Sequence, residues 1–227
     1  MTQPRVACVI PSLNAAPTLA GVVDGLRRAL PESRVIVIDD GSTDDTHVVA
    51  ARVADFVVRF PRNRGKGAAL RAGFAAAGAG GANRLLTVDA DGQHDPERAP
   101  ALISALDAAD IVIGARDRRS SAMPAARRLT NRLSAAAVGR CIGRPVADAQ
   151  SGYRAIRAHV ISAVAPRGDR YEFETEFLIL AARQGFQITF VPVPTRYPQL
   201  VPSQFRLVRD SARIVGTLWR FGIGAAH

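Results

Sequence analysis

Leu85-Leu86-Thr87-Val88-Asp89-Ala90-Asp91-Gly92-Gln93-His94 is an apolar run that stops abruptly in two carboxylates, one residue apart. Alternate residues of a strand point the same way. Strand geometry carried one step past its end would therefore aim Asp89 and Asp91 at one spot. Carboxylate oxygens are hard ligands suited to Mg or Mn, and such ions are commonly held by one or two carboxylates plus substrate phosphates. The pattern points to a metal that carries a diphosphate; taken alone, Asp-x-Asp is weak and reads more often as a solvated turn, and its context changes that reading.

The context of this run repeats along the chain. Residues 34–38, Arg-Val-Ile-Val-Ile, form a second apolar run that ends in Asp39-Asp40-Gly41-Ser42. Residues 5–11 read as a buried strand, and 18–30 carry Leu19, Val22, Val23, Leu26 and Leu30 at helical spacing. A helix is expected over 44–54 with Thr43 or Asp44 as N-cap. A strand is expected over 55–60, an Ala-rich helix over 67–77, a strand over 84–88, a helix over 100–108 and a strand over 111–114. Beyond residue 115 the alternation loosens. Residues 116–140 are basic and helical from 123 on, and 148–156 read as a polar loop leading into an apolar stretch. Residues 172–184 read as a helix whose acidic first turn suits the macrodipole, 187–193 as a strand and 207–221 as an amphipathic helix. Continuous apolar strands separated by helices define an α/β fold, a Rossmann-like, mostly parallel sheet covered on both faces. Ligands on such sheets bind outside the carboxyl ends of the strands, where both acidic clusters fall.

Composition narrows the class. The 227 residues suit one sizeable domain, and 48% hydrophobic with 22% charged residues is ordinary for a globular chain. The net charge of +10 is not ordinary and suggests an anionic partner: nucleic acid, anionic lipid or a phosphorylated substrate. Arginine-rich genome composition is the competing cause, because Lys66 is the single lysine. Aromatic residues are only 6% and do not interleave with basic ones, so nucleic acid is not expected. Cys8 and Cys141 form no metal spacing or disulfide framework and suit a reducing cytosol. No signal peptide and no membrane-spanning run are expected. Pro11-Ser12-Leu13-Asn14 stands where a dehydrogenase would carry a glycine-rich fingerprint.

The order of segments resembles glycosyltransferase family 2 with the GT-A fold. The matching pieces are Val9 to Asn14, Val35 to Asp44, Asn63-Arg64-Gly65-Lys66-Gly67, Asp89 to Gln93, Asp148-Ala149-Gln150-Ser151-Gly152-Tyr153-Arg154, and Glu172 to Val193. Within the family the chain is most similar to the polyprenyl- and dolichyl-phosphate sugar transferases. The resemblance implies a GT-A catalytic domain over 1–206, with a nucleotide-sugar-binding half (1–115) and an acceptor half (116–206), followed by a C-terminal amphipathic helix over 207–227. It also implies inverting transfer, by in-line attack on the anomeric carbon without a covalent enzyme intermediate. Residues 196–202 depart from the glycine-bearing loop common in mannosyl relatives.

Residue roles follow from chemistry and resemblance together. The backbone from Pro11 to Asn14 borders the nucleoside, or is an ordinary strand-to-helix turn. Asp39 and Asp40 can accept from a base N–H and a ribose hydroxyl, or cap a helix. Lys66, just before a helix, contacts the nucleotide or lies in solvent. Asp91 is the strongest metal ligand candidate, Asp89 binds ribose or metal, and Gln93 supplies a third oxygen. His94 contacts phosphate or is structural. Arg116, Arg127, Arg128 and Asn131 are the candidate contacts to an acceptor phosphate, with Ser203 and Arg206 as a looser match; guanidinium groups bind phosphate through forked hydrogen bonds. Asp148 is the candidate catalytic carboxylate, serving as base if the acceptor is a hydroxyl and otherwise orienting the acceptor or Arg154. Glu172, Glu174 and Glu176 crowd one turn, and Glu176 best matches the family's acidic position.

These readings converge on a metal-dependent transferase that uses Mg or Mn to move a sugar from a nucleotide sugar to a polyprenyl phosphate. The expected location is cytoplasmic, with peripheral contact at the inner face of an anionic membrane. A saccharide or small hydroxyl acceptor, or a non-catalytic nucleotide-sugar-binding module, are the alternatives.

Overall fold

The computed structural model describes residues 5–116, 125–194 and 215–221, and for 125–127 the backbone alone. Its elements run β1 (Val6–Ser12), α1 (Ala16–Ala29), β2 (Arg34–Asp39), α2 (Thr46–Val53), β3 (Phe56–Arg59), α3 (Lys66–Ala79) and β4 (Arg84–Thr87). A 3-10 turn (Pro96–Arg98), α4 (Ala99–Ala105), β5 (Ile111–Arg116), α5 (Ala125–Ile142), β6 (Arg154–Arg157), α6 (Ala158–Ala163), α7 (Glu172–Arg183) and β7 (Ile188–Val193) follow. Residues 215–221 are helical; the rest of the expected C-terminal helix lies outside the described residues.

The strands form one sheet in the order β3-β2-β1-β4-β6-β5-β7. All neighbours are parallel except β6, which runs antiparallel to β4 and β5. Each strand feeds two cores because its side chains alternate. Val9, Ile36, Ile38, Leu85 and Ile156 meet Leu70 and Phe74 of α3 and Phe173 and Phe177 of α7. Cys8, Ile10, Val35, Val37 and Leu86 meet Leu19, Val23 and Leu26 of α1 and Leu102 of α4. Both faces are thus covered, which explains the unbroken apolar runs of β1 and β2. Burying each Leu or Ile side chain contributes roughly 1.5–3 kcal/mol, so the two layers dominate the stability.

Two elements differ from the sequence reading. The stretch after Asp148 contains β6, a central strand, and α6 follows it directly. Arg154-Ala155-Ile156-Arg157 gives no strand signal because arginines flank only two apolar residues. Tertiary capping makes the strand possible: the buried Arg154 guanidinium donates to the carbonyls of Ala149, Ser151 and Glu174. β4 also ends at Thr87, so the alternation expected to align Asp89 and Asp91 stops two residues early. A turn with Gly92 at φ 72 sets their geometry instead.

Helix α3 lies unusually close to the sheet at Gly73, where an added Cβ would collide with Cγ1 of Val9. Alanine would gain about 1 kcal/mol of helix propensity, but overpacking a stiff β-branched neighbour costs about 1–3 kcal/mol. Gly73→Ala is therefore expected to destabilise the fold by about 1 kcal/mol in urea denaturation. A more stable variant would show that α3 is free to move off β1.

Candidate active site

The carboxyl ends of β1, β2 and β4 lie side by side because these strands are parallel neighbours. The turns that follow them are tied together. Asn14 takes a left-handed conformation at φ 50, which Asn tolerates better than most residues. Its N–H donates to Ser42 Oγ, and its Oδ1 accepts from the Thr43 N–H. The Ala15 N–H donates to Thr46 Oγ1. Pro11 stays in β1 opposite Ile38, half-buried.

Asp39 and Asp40, adjacent in sequence, do different work. Asp40 accepts from the N–H groups of Arg64 and Gly65 at 2.7 and 2.9 Å, one on each oxygen, and so fixes the loop that starts α3. Burial raises its pKa, and those two amides only partly offset the shift. Asp39 is fully buried; its Oδ1 accepts from the Ser42 N–H, while Oδ2 has no hydrogen bond and lies 3.4 Å from Arg59 Nε. An orphaned carboxylate oxygen at this edge is suited to an N–H or hydroxyl donor from a ligand.

Lys66 opens α3 and points inward. Its Nζ lies 2.5 Å from Asp89 Oδ1 and 3.1 Å from Glu174 Oε1, so it is not a solvent lysine. Burial alone would raise the Asp89 pKa, but the Lys66 ammonium reverses this and holds the carboxyl far below the usual range. Burial would lower Lys66, and the two carboxylates instead push it up. Gly152 presses on Asp89 from the far side: an added Cβ would stand 2.5 Å from Asp89 Oδ2. His94 is buried, its ring packed 5.1 Å from that of Tyr153 and its Nε2 3.6 Å from Asp89 Oδ2.

Asp91 has a different environment. It is half-buried, and its Oδ1 accepts from the Gln93 N–H. Its pKa is raised, first by burial and then by the Asp89 charge. Among the described residues no three His, Cys, Asp or Glu side chains converge into a metal cage. One partly open carboxylate that carries excess negative charge fits an ion completed by diphosphate oxygens and water.

Asp148 is buried and grips Arg116, at the end of β5, as a fork. Arg116 Nε donates to Oδ2 at 2.7 Å and Nη2 to Oδ1 at 3.0 Å; the Gln150 N–H also donates to Oδ1. Burial would raise the Asp148 pKa, but Arg116 outweighs it and holds the carboxyl low. A carboxylate so engaged is a poor proton acceptor and a strong orienting group. Arg128 and Asn131 lie on α5, half-buried and buried. The Arg127 side chain, Ser203 and Arg206 lie outside the described residues.

Glu174 is the site neighbour that sequence reasoning passed over in favour of Glu176. The structure gives Glu176 a loop to hold: its Oε2 accepts from the N–H groups of Arg167 and Gly168. No polar face distinguishes the two glutamates in advance, because residues 173–179 are all buried.

A mixed sheet of this order, with acidic turns at the carboxyl ends of β2 and β4, is that of the GT-A glycosyltransferases. The crystal structure of glucosyl-3-phosphoglycerate synthase from Mycobacterium tuberculosis with Mn2+, UDP and phosphoglyceric acid superposes with a TM-score of 0.78. The match has 22% identity and covers 96% of this chain and 78% of that one. Residues 7–164 match the family described as Glycosyl transferase family 2, and the chain belongs to that family. It is 34% identical over 200 residues to an undecaprenyl-phosphate mannosyltransferase of Micrococcus luteus, covering 83% of this chain and 82% of that protein. Over 204 residues it is 33% identical to a polyprenol monophosphomannose synthase of Mycolicibacterium smegmatis, covering 83% and 76%.

The Arg116–Asp148 pair has a stability signature. Removing one partner of a buried pair costs about 3–5 kcal/mol, so Asp148→Asn should lose about that much in urea denaturation near neutral pH. Because the folded pKa is depressed, the contribution is present above the unfolded pKa of about 3.9 and is lost as pH falls through the lower folded value. The gap between wild type and variant should therefore close as pH is lowered below about 4. A gap independent of pH would mean that the carboxylate charge does not hold the fork.

Proposed function

We propose that this chain is a metal-dependent, inverting glycosyltransferase that passes a sugar from a nucleotide sugar to a polyprenyl phosphate. The observation that carries the reading is the forked grip of Asp148 on Arg116 beside the acidic rim. A hydroxyl acceptor needs a base within hydrogen-bond reach, and Asp148, the candidate offered by the sequence, is occupied by a guanidinium. A phosphate monoester arrives already ionised, needs no base, and gains from arginines held in place. The names of the two relatives, one an undecaprenyl-phosphate mannosyltransferase, support the same acceptor class.

In this reading Asp39 receives the nucleoside through its unsatisfied Oδ2, and the backbone of Pro11 to Asn14 borders it. Asp40 holds Lys66 in place through the Gly65 amide, and Lys66 faces the diphosphate. Asp91, with Asp89 and Gln93, holds Mg or Mn. The bound ion would offset charge on the departing nucleoside diphosphate. Solved relatives contain Mn2+ or Mg2+ with UDP, which supports a divalent ion here. Arg116, Arg127, Arg128 and Asn131, with Ser203 and Arg206, bind the acceptor phosphate and aim its oxygen at the anomeric carbon from the face opposite the leaving group.

The reading also places the protein at a membrane surface. Among the described residues no helix is long and apolar enough to cross a bilayer. Leu129 and Leu133 on α5, and Val215 and Trp219 on the C-terminal helical segment, are large exposed apolar side chains. Arg132 and Arg220 are exposed beside them, a pairing suited to an interface with anionic head groups.

Incubation with nucleotide sugars, Mn2+ and a short-chain polyprenyl phosphate, read by mass spectrometry, should yield a glycosylated lipid. Asp91→Ala should abolish that product and leave the melting temperature unchanged within about 2 °C, since a half-exposed surface carboxylate contributes little to stability. Sugar transfer to hydroxyl acceptors alone would overturn the phosphate acceptor. Metal-dependent turnover in Asp91→Ala would overturn the metal assignment.

A further inference from the structure

The chain has 30 Lys and Arg residues, and Lys66 is the single lysine among them. That exception stands in an enclosed charge cluster of the site. Its Nζ bridges Asp89 of the β4 turn and Glu174 of α7, with only 13% of its side chain exposed. The ring of Tyr171 lies 5.8 Å from the same nitrogen. Glu174 is itself only 6% exposed in its side chain, and its backbone carbonyl accepts from Arg154. A buried carboxylate needs a partner, and Lys66 pairs directly with the Glu174 carboxylate, while the charge of Arg154 stands behind it.

We infer that Glu174 is a positioning residue that holds Lys66 over Asp89 with one ammonium N–H left to turn toward the donor diphosphate. The inference rests on the donor-site reading given above. An ammonium has three donors spread in space around a compact charge; a guanidinium is a planar fork that pairs edge-on with one carboxylate. Two carboxylates from different elements, one of them wedged against Gly152, call for the first shape. Glu174 thereby links α7, in the acceptor half, to the charge of the donor rim. The role is one of position, because Glu174 meets the donor only through Lys66.

The single lysine allows a test that does not depend on turnover. The protein is treated with an N-hydroxysuccinimide acetate reagent, and acetylation of the Lys66 peptide is followed by mass spectrometry against urea-unfolded protein. In the wild type Lys66 should acetylate slowly. Glu174→Gln should raise that rate and raise the KM for the nucleotide sugar about tenfold with a smaller change in kcat, the scale of one lost charged hydrogen bond. Glu174→Asp, which keeps the charge but shortens the reach, should fall between the two, and it replaces Glu174→Gln should that variant fail to fold. Lys66→Arg should lower kcat/KM at least as much as Glu174→Gln. Acetylation and donor KM at wild-type values in the Glu174 variants, or full activity in Lys66→Arg, would overturn the inference. Nucleoside diphosphate with Mn2+ should protect Lys66 in the wild type. Loss of that protection alone would overturn the donor-site reading, while faster acetylation in Glu174→Gln would still establish the clamp.

Discussion

One ammonium between two carboxylates, the half-buried Asp89 and the buried Glu174, is the constraint on which this site depends. Lys66 cannot reach Asp89 and Glu174 unless α3 begins where it does, and α3 begins there because Asp40 holds the two amides before it. Asp40 in turn leaves the end of β2. The charge balance at the rim therefore follows from a chain of backbone and side-chain contacts that joins the ends of β2 and β4 to α3 and α7. Without Lys66, Asp89 and Asp91 would repel across a partly buried turn. With it, Asp89 stays ionised and Asp91 carries the surplus charge that a divalent ion can meet.

The second charge system is a one-to-one pair. Around Arg116 a single carboxylate, Asp148, takes the Nε and Nη2 edge of the guanidinium, and both side chains are largely enclosed. Around Lys66 the cation is buried, and a carboxylate, Asp91, is left partly open. Under the proposed function the first system would meet a metal-bearing diphosphate and the second an unmetallated phosphate. Arg154, also buried, belongs to neither ligand set. It satisfies three carbonyls and keeps β6 and the 148–152 loop behind Asp89.

Family membership and fold rest on different grounds. The sheet order and its closeness to solved GT-A enzymes establish the architecture. The match over residues 7–164 and the identity to prenyl-phosphate sugar transferases establish the lineage. Relatives of one fold differ in what they glycosylate, so the acceptor depends on local geometry such as the engagement of Asp148 by Arg116.

The sequence by itself determined the alternation of strands and helices, because strands buried on both faces write themselves as unbroken apolar runs such as Val35 to Ile38. It also located the acidic clusters at strand ends, since a carboxylate closing such a run has nowhere to go but the rim. β6 escaped it, because a four-residue strand flanked by arginines depends on carbonyls that only the folded chain brings near Arg154. The division of labour between Asp39 and Asp40, the fork on Asp148 and the reach of Glu174 to Lys66 were likewise decided by tertiary structure. Each joins residues tens of positions apart, and local pattern carries no information about which of several like-charged neighbours will face a distant partner.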